Sequence, residues 1–397
     1  MTDTPSSSRF AFAGVAFAFL ATMLGTTLPT PLYPLYREAF GFSQLTITVI
    51  FAAYAVGVIG ALLLTGRWSD QLGRRPLLLA GLAASAASDL LFLAGDGLTW
   101  LIVARVVSGV SAGIFTGTAT VAVIELAPEA RKRQATLLAT AVNMGGLGLG
   151  PVCAGLLGEY APGPLLLPYG AHLGLLLLGV LAVLRAPETV TRAARPDLRW
   201  QRPSVPPAVR GLFLPAATAG FAGFAVLGFF TATAPAFMKG VLGQDNLALI
   251  GLVAGVVFFA STLGQWLQER LPQAWRLPLG CAVVVLGALL VGAGIARASL
   301  AVFLAGALVA GFGQGVGFRA GLGAVATASP ADQRGAVTST FFVIAYVALS
   351  IPVVGIGLVS RLVGLAPTGV GFSVLVALLS AAALVSLWRR RPATAAG

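Results

Sequence analysis

Three ionisable residues stand inside apolar stretches of the first half of the chain, namely Asp89, Arg105 and His172. A charged side chain at the centre of a membrane-spanning helix costs about 2.5–3.5 kcal/mol on insertion scales, so such residues usually have a function. Asp89 or His172 could carry a proton, with Arg105 tuning its affinity. The alternative is a structural pair between Arg105 and Asp89, with His172 facing water or a backbone carbonyl.

Arg319 lies in an apolar stretch of the second half that contains no carboxylate. A guanidinium group matches the geometry of carboxylates and phosphates, so Arg319 favours an anionic or zwitterionic substrate as its counter-charge. The alternative is an anchor that reaches the cytoplasmic lipid headgroups. If Asp89 and His172 carry no proton, Asp70 and Glu125 are the next candidates for that role.

Enzymatic chemistry has little support in the sequence. The chain contains one histidine and two separated cysteines, Cys153 and Cys281, which supply neither a metal-ligand set nor a nucleophile with its base. We therefore predict no catalytic residues, no metal and no cofactor. The sequence also has no GxxxxGK[ST] loop, which argues against ATP-driven work.

The composition places these residues in a membrane. Of 397 residues, 57% are hydrophobic and 10% are charged, whereas soluble domains carry about 25% charged residues. A spanning helix needs about 20 mostly apolar residues. Twelve stretches qualify: Phe10–Leu28, Leu45–Thr65, Leu77–Gly95, Leu98–Ile124, Ala135–Leu157, Leu165–Leu184, Gly211–Pro235, Asn246–Trp266, Pro278–Ala296, Ser299–Ala326, Ala336–Leu358 and Thr368–Trp388.

The net charge of +12 follows the topology of such a protein and does not indicate a nucleic-acid partner. Counted in alternate loops, nineteen Lys and Arg residues fall on one side and four, Arg37, Lys239, Arg297 and Arg361, on the other. Cytoplasmic loops retain positive charge, so we predict that both termini lie in the cytoplasm, in a plasma membrane of the bacterial inner-membrane type.

A stretch rich in Arg and Pro, residues 186–210, divides the chain into an N-terminal bundle (1–185) and a C-terminal bundle (211–397) of six helices each. We expect it to be a linker on the cytoplasmic surface. The two halves resemble each other, since Gly109-Val-Ser-Ala-Gly113 matches Gly311-Phe-Gly-Gln-Gly315. The predicted fold class is an all-α membrane protein with two pseudo-symmetric six-helix bundles.

The loop after the second stretch reads Gly66-Arg-Trp-Ser-Asp70-Gln-Leu-Gly73-Arg74-Arg75. It resembles the GxxxDxxGRR signature loop of the major facilitator superfamily at every defined position. The resemblance continues with Arg105-Val-Val-Ser-Gly109-Val-Ser-Ala-Gly113, similar to the family's RxxxGxxxG element, and with Pro187-Glu188-Thr189.

Gly146-Leu-Gly-Leu-Gly150-Pro151 in the fifth span is similar to the motif of the drug:proton antiporters, except that Ala154 replaces a usual glycine. Gly146, Gly150, Ala154 and Gly158 recur every four residues and share one helix face. Small residues allow close helix approach, so the stripe serves either ordinary packing or a hinge contact between the two halves.

The resemblance implies two bundles that rock about a central cavity, with spans one, four, seven and ten lining it. It also implies a conformational switch formed by Gly66, Asp70, Gly73, Arg74, Arg75, Gly146, Gly150 and Pro151, in which Asp70 helps close the cytoplasmic side. Multidrug members often carry a carboxylate in span one, whereas the first span here has none.

We predict a secondary active transporter that exports small organic molecules or drugs in exchange for protons, as a monomer in the lipid bilayer. The alternative is uptake or facilitated transport of a small anionic metabolite on the same fold. Proton coupling is assigned to Asp89, Arg105 and His172. Substrate contacts are assigned to polar, basic and aromatic side chains within the spans, namely Tyr54, Arg105, Asn143, Phe224, Gln314, Arg319, Phe342 and Tyr346.

Overall fold

The computed structural model describes residues 5–66 and 68–389, with the side chains of residues 5–9 left undescribed. Among these residues every regular element is a helix, and twelve helical segments are long and apolar enough to cross a membrane. The all-helical fold class and the twelve predicted spans are therefore confirmed. Several positively charged groups in the loop count, those of Arg9, Arg67, Arg390 and Arg391, lie outside the described part, as do the ends of both termini.

The first span differs from its predicted end at Leu28. Helix α1 (Pro5–Thr27) is followed by a 3₁₀ turn (Thr30–Leu32) and a short helix α2 (Tyr33–Phe40). Pro29 and Pro31 lack the backbone N–H that a continuing helix needs, which explains the break. Since the turn and Tyr33 and Tyr36 are buried, the span extends past the prolines to Phe40.

The remaining helices of the N-terminal half follow the prediction within a few residues. They are α3 (Gln44–Thr65), the four-residue α4 (Ser69–Leu72), α5 (Arg74–Ala94), α6 (Leu98–Leu126), α7 (Lys132–Tyr160) and α8 (Leu167–Arg185). In this half α1 packs against α5, α6, α7 and α8, so it is a central helix of the bundle.

The C-terminal half contains α9 (Pro207–Ala232), α10 (Ala234–Gly240), α11 (Leu247–Leu267), α12 (Gln273–Ala296), α13 (Leu300–Ala328), α14 (Arg334–Val363) and α15 (Leu365–Arg389). Its core is aromatic. Phe229 of α9 stacks on Phe372 of α15 with ring centroids 5.1 Å apart, and Phe230 contacts Phe303 of α13 at 5.3 Å.

The chain forms two compact units, Met1–Arg202 with Gln244–Phe258, and Pro203–Gly243 with Phe259–Gly397. The predicted halves place residues 244–258 with the second bundle, whereas their contacts group them with the first. The reason is a close approach to α7, because a Cβ on Gly251 would lie 2.1 Å from the Pro151 carbonyl oxygen. The Glu159 carboxylate also accepts the Leu247 N–H at 2.7 Å.

Residues 186–206 of the linker contain no regular helix, and α9 begins at Pro207, three residues before the predicted end of the linker. Proline is well suited to the first turn of a helix, where its missing N–H has no partner to lose. The linker is held against α4 and the last turn of α3. Ala193 N–H donates to Gln71 O at 2.9 Å, and Gln201 N–H donates to Leu63 O at 2.8 Å.

Candidate functional site

Asp89 and His172 form a buried pair in the first unit. Helix α5 carries Asp89 and α8 carries His172, and Nδ1 of the imidazole lies 2.6 Å from Oδ2 of the carboxylate. The other ring nitrogen, Nε2, lies 2.8 Å from the carbonyl oxygen of Ala21 in α1. His172 is 1% exposed and Asp89 3% exposed, so these contacts replace the hydrogen bonds that water would otherwise make to both side chains.

A glycine of α1 makes room for the imidazole. A Cβ on Gly25 would lie 2.1 Å from His172 Cε1, closer than atoms can approach. Residue 25 must therefore lack a side chain for His172 to reach Ala21 and Asp89 together. The sequence contains Gly25 as an ordinary membrane-helix glycine, and nothing in its neighbourhood indicates the histidine.

Arg105 does not pair with Asp89, so the predicted Arg105–Asp89 pair is wrong. Its Nη1 donates to the carbonyl oxygen of Thr26 at 2.7 Å, and its guanidinium lies over the rings of Tyr54 and Phe51, 4.6 and 5.5 Å from their centroids. The group is 1% exposed, and its Nε has no hydrogen-bond partner among the described residues. The predicted cluster of three is thus an Asp89–His172 pair with Arg105 on other partners.

Two tyrosines lie on the α2 side of the pair. Tyr169 precedes His172 by one helical turn, and its hydroxyl lies 2.9 Å from that of Tyr36. Both tyrosines are nearly fully buried, and Phe92 stacks on Tyr169 with centroids 4.9 Å apart. Neither tyrosine was among the predicted site residues, because tyrosines near a span end usually read as interfacial anchors.

The signature loop forms a network centred on Arg74. Its guanidinium contacts Asp70 Oδ1 at 2.6 Å and both carboxylate oxygens of Glu125 in α6, at 2.9 and 3.2 Å. Thr189 of the linker donates to Glu125 at 2.5 Å. The predicted switch residues Asp70 and Arg74 are therefore in contact, and the network adds Glu125 and Thr189.

Glu188 closes the turn that contains Gly73. One carboxylate oxygen accepts the N–H of Arg74 at 2.7 Å and the other accepts the N–H of Arg75 at 3.2 Å. A carboxylate at the first turn of α5 satisfies otherwise unpaired N–H groups and favours the helix dipole. The Pro187-Glu188-Thr189 motif signalled this residue, but the sequence alone assigns it no partner. Gly66, at the start of the loop, lies against the Gln201 side chain.

Gly146 and Gly150 of the small-residue stripe pack on α1, as the alternative of ordinary helix packing expects, and the hinge contact stays a prediction. A Cβ on Gly150 would lie 2.3 Å from Leu24 O of α1, and one on Gly146 would lie 2.7 Å from Leu20 O. Both glycines therefore face α1 of the same unit. The approach to α11 uses a different face of α7, where Pro151 lies opposite Gly251.

Arg319 has a protein counter-charge, which corrects the expectation that its partner is the substrate. Its Nη2 lies 2.7 Å from Oε1 of Glu269, and the two side chains are 22% and 21% exposed. Glu269 lies in the 3₁₀ turn that ends α11, fifty positions before Arg319. The sequence placed this glutamate in a loop, without indicating that the loop returns to α13.

The other predicted substrate residues occupy separate positions. Gln314 of α13 is buried, and its Oε1 accepts a hydrogen bond from Ser261 at 2.6 Å. Its Nε2 has no hydrogen-bond partner in the part of the chain that the structure describes. Phe224 lies 6.2 Å from Tyr346 between ring centroids. The ring of Phe342 lies 6.0 Å from that of Phe318. Asn143 is a half-buried residue of α7. Their roles in substrate binding stay predictions.

The described residues contain no group of three or more His, Cys, Asp or Glu side chains that could hold a metal ion. A family model described as the Major Facilitator Superfamily matches residues 15–351. That range runs from α1 to α14 and contains the Asp89–His172 pair and the signature loop.

Curated relatives match a shorter segment. A Klebsiella pneumoniae protein named as a multidrug resistance protein, MdtD, is 29% identical over 161 residues, which are 41% of this chain and 34% of that protein. The protein of the same name from Salmonella typhimurium is 28% identical over the same length and with the same coverage. The chain thus spans about a third of the length of these curated relatives.

Solved structures match the whole fold. A bacterial homolog of the human lysosomal transporter Spinster, in an inward-facing and unoccupied conformation, superposes with a TM-score of 0.75 at 14% identity, covering 99% of this chain and 100% of that one. The occupied form gives a TM-score of 0.72 at 14% identity, covering 98% and 97% of the two chains. At this identity the likeness shows the fold alone.

Proposed function

Because the chain belongs to the major facilitator superfamily, we propose that it is a secondary active transporter that exports small organic molecules in exchange for protons. The protein acts by alternating access, as a monomer in the plasma membrane with both termini in the cytoplasm. The MdtD relatives, named for multidrug resistance, support export as the direction.

One observation carries proton coupling, namely the buried contact between Asp89 and His172. A carboxylate and an imidazole are the side chains that exchange protons most readily near neutral pH. An unpaired charge inside a membrane span is costly. Loss of a proton from the Asp89–His172 pair would leave such a charge, so the stability of the conformation that contains the pair depends on its protonation state. Arg105 donates to the carbonyl oxygen of Thr26 and is not the partner of Asp89.

The Arg74 network supports the proposed conformational switch. Asp70 is 62% exposed and contacts Arg74, which also contacts Glu125, so the loop, α6 and the linker share one set of charge-assisted hydrogen bonds. A change in the position of α5 or α6 must rearrange that set. Asp70, Gly73, Arg74 and Arg75 are therefore retained as switch residues, with Glu125 and Glu188 as their partners.

The proposal is tested in everted membrane vesicles with ethidium, a lipophilic cation, as the probe. We expect the wild type to accumulate ethidium when the vesicle lumen is acidified by respiration and to stop when nigericin dissipates the pH gradient. Asp89→Asn should lose this proton-driven accumulation, because the amide cannot release a proton. Asp96→Asn changes an exposed aspartate of the α5–α6 loop and is the matched control.

Retention of proton-driven accumulation in Asp89→Asn would reject Asp89 as the proton carrier. Absence of any effect of nigericin on the wild type would reject proton coupling itself. Because both variants exchange aspartate for an isosteric amide, a difference between them cannot be attributed to a general loss of charge.

The second candidate function is uptake or facilitated transport of a small anion, and Arg105 favours it. Its buried guanidinium contacts a carbonyl and two aromatic rings, with no carboxylate among its contacts in the described part of the chain. A substrate carboxylate could accept paired hydrogen bonds from this guanidinium. With carboxyfluorescein as the probe, this function predicts transport by the wild type that Arg105→Lys abolishes, without proton-driven accumulation of ethidium.

A further inference from the structure

The two nitrogens of His172 have partners of different kinds. Nε2 lies 2.8 Å from the carbonyl oxygen of Ala21, and a carbonyl oxygen can only accept a hydrogen bond. Nε2 must therefore carry a hydrogen in this arrangement. Since the neutral imidazole carries one hydrogen in total, Nδ1 of the neutral ring presents a lone pair to Asp89.

The contact between Nδ1 and Asp89 Oδ2 is 2.6 Å, a distance that requires a hydrogen between the two atoms. Two arrangements supply it: an imidazolium beside a carboxylate, or a neutral imidazole beside a carboxylic acid. Both contain one dissociable proton and both have zero net charge. With that proton removed, the neutral ring has one hydrogen for two acceptors, Asp89 Oδ2 and Ala21 O. At one of the two contacts a nitrogen lone pair then faces an acceptor oxygen and is repelled.

We infer that Asp89 and His172 together bind a single proton between Oδ2 and Nδ1, and that loss of this proton breaks one of the two contacts by which His172 joins α8 to α5 and to α1. This inference rests on the proposed function, for which it specifies the proton site and its stoichiometry. On release the proton passes to water or to another acceptor, and the pair changes from neutral to a single negative charge.

The surroundings of the pair favour this coupling between proton and structure. Helix α1 offers the ring only a carbonyl, since residues 10–27 contain no ionisable side chain. Helix α5 supplies Asp89. In α8 itself, Tyr169 lies one turn before His172, and its hydroxyl is hydrogen-bonded to that of Tyr36 in α2. Arg105 of α6 donates its hydrogen bond to the Thr26 carbonyl oxygen.

The third helix that packs on α8, α7, has its acidic residue committed elsewhere. The Glu159 carboxylate accepts the N–H of Leu247, and Cys153 and Tyr160 are the other titratable groups of the same half of α7. No second carboxylate among the described neighbours of the ring can replace Asp89 as the partner of Nδ1.

The packing beside Gly25 limits how the imidazole ring of His172 can respond to loss of the proton. The imidazole fills the space that a side chain on residue 25 would occupy, so it cannot rotate away from Asp89 and keep its contact with Ala21. Loss of the proton must then move either α5 or the ring, and movement of the ring leaves an empty space beside Gly25 of α1. Proton occupancy thereby sets the packing of α1, the central helix of this bundle.

The test uses the fact that the chain contains one histidine. Protein labelled with ¹⁵N-histidine and placed in lipid nanodiscs gives imidazole resonances of His172 alone. In the proton-bound state we expect Nε2 to be protonated and Nδ1 to show a strong hydrogen bond to oxygen. Raising the pH should then remove one proton in a single step. A neutral ring protonated at Nδ1 in the proton-bound state, or two separate steps, would overturn the inference.

Three variants sharpen the measurement. Asp89→Asn should abolish the titration step in the pH range where the wild type titrates, because the amide donates to Nδ1 and keeps the ring neutral. Gly25→Ala should abolish or shift the step by displacing the ring, although it removes no titratable group. Gly174→Ala, a change in α8 where a Cβ meets nothing within 4 Å, should leave the step as in wild type. A wild-type step in Asp89→Asn would refute the shared proton.

The titration needs no transport, so its failure and that of the proposed function can be distinguished. A single wild-type step without proton-driven ethidium transport would reject the transport proposal and leave the proton site standing. Proton-driven transport together with an unaltered step in Asp89→Asn would reject the site and leave the transport proposal standing.

Discussion

At the scale of single residues, Gly73 has a conformation and a neighbour that exclude other residue types. Its φ of +103° and ψ of 154° lie in a region almost confined to glycine. A Cβ there would also lie 2.3 Å from the Glu188 carboxylate. We predict that Gly73→Ala lowers the free energy of unfolding by about 1–3 kcal/mol from backbone strain. It should lower transport further by displacing Glu188 from the N-terminus of α5.

The control for Gly73→Ala is Gly41→Ala. Gly41 also has a positive φ, +67°, but a Cβ there meets nothing within 4 Å. It should show only the backbone penalty in a thermal-unfolding assay and retain ethidium transport. Equal losses of transport in both variants would mean that Glu188 has no part in the switch.

The Arg319–Glu269 pair calls for a charge-reversal experiment. Both side chains are about one-fifth exposed, so removal of one partner leaves a poorly solvated charge. We predict that Arg319→Glu or Glu269→Arg alone lowers the free energy of unfolding by about 1–3 kcal/mol, and that the double reversal recovers most of the loss.

Binding measurements on the same variants separate a structural role from a substrate contact. Anionic, neutral and cationic probes should change in affinity equally in the double reversal, because the exchanged pair stays neutral. A selective loss for the anionic probe would show that Arg319 also contacts substrate.

At the scale of elements, the packing of α7 on α1 depends on which face of α7 carries its small residues. A Cβ on Gly150 would lie 2.3 Å from Leu24 O and 2.4 Å from Thr27 Oγ1, whereas one on Gly145 meets nothing within 4 Å. We predict that Gly150→Ala forces α1 away and lowers thermal stability. Gly145→Ala should instead leave stability unchanged or raise it by up to about 1 kcal/mol, since alanine is the better helix former.

Both variants exchange glycine for alanine within one helix, so intrinsic helix propensity cannot explain a difference between them. Fluorescence-detected size-exclusion chromatography after heating would rank the two proteins. A Gly150→Ala protein as stable as the wild type would show that α1 and α7 tolerate a wider separation than the structure has.

At the scale of the whole molecule, the asymmetry of positive charge predicts the orientation of every span. In a background with Cys153 and Cys281 replaced by alanine, we predict that cysteines at Lys239 and Arg361 react with a membrane-impermeant maleimide added outside intact cells. A cysteine at Arg195 in the linker should react only after the membrane is opened. All three positions are exposed, so failure to react reports sidedness and not burial. Labelling of Lys239 from the inside would mean that the number of spans before it is wrong.

The twelve spans could be read from the sequence because they depend on local composition. A stretch of about 20 apolar residues meets the thickness of the bilayer whatever its neighbours are. Asp89, His172 and Arg105 stood out for the same reason, since an ionisable group in such a stretch is costly wherever it points. The signature loop was equally local, and its Asp70–Arg74 contact joins residues four positions apart.

The partners of these residues depended on the tertiary structure. Asp89 and His172 are 83 positions apart, and Arg319 and Glu269 are 50 apart, so each contact depends on the rotation of two helices about their axes and on their depth. That rotation is set by packing. Gly25 leaves space for the His172 ring, and Gly150 allows α1 to approach α7 closely. The spacing of glycines indicates that a helix has a close neighbour but does not say which helix it is, because several helices surround each one in a bundle. The sequence alone therefore determined the spans and the ionisable residues within them, whereas the packing of the helices decided that Asp89 pairs with a histidine and Arg319 with a glutamate.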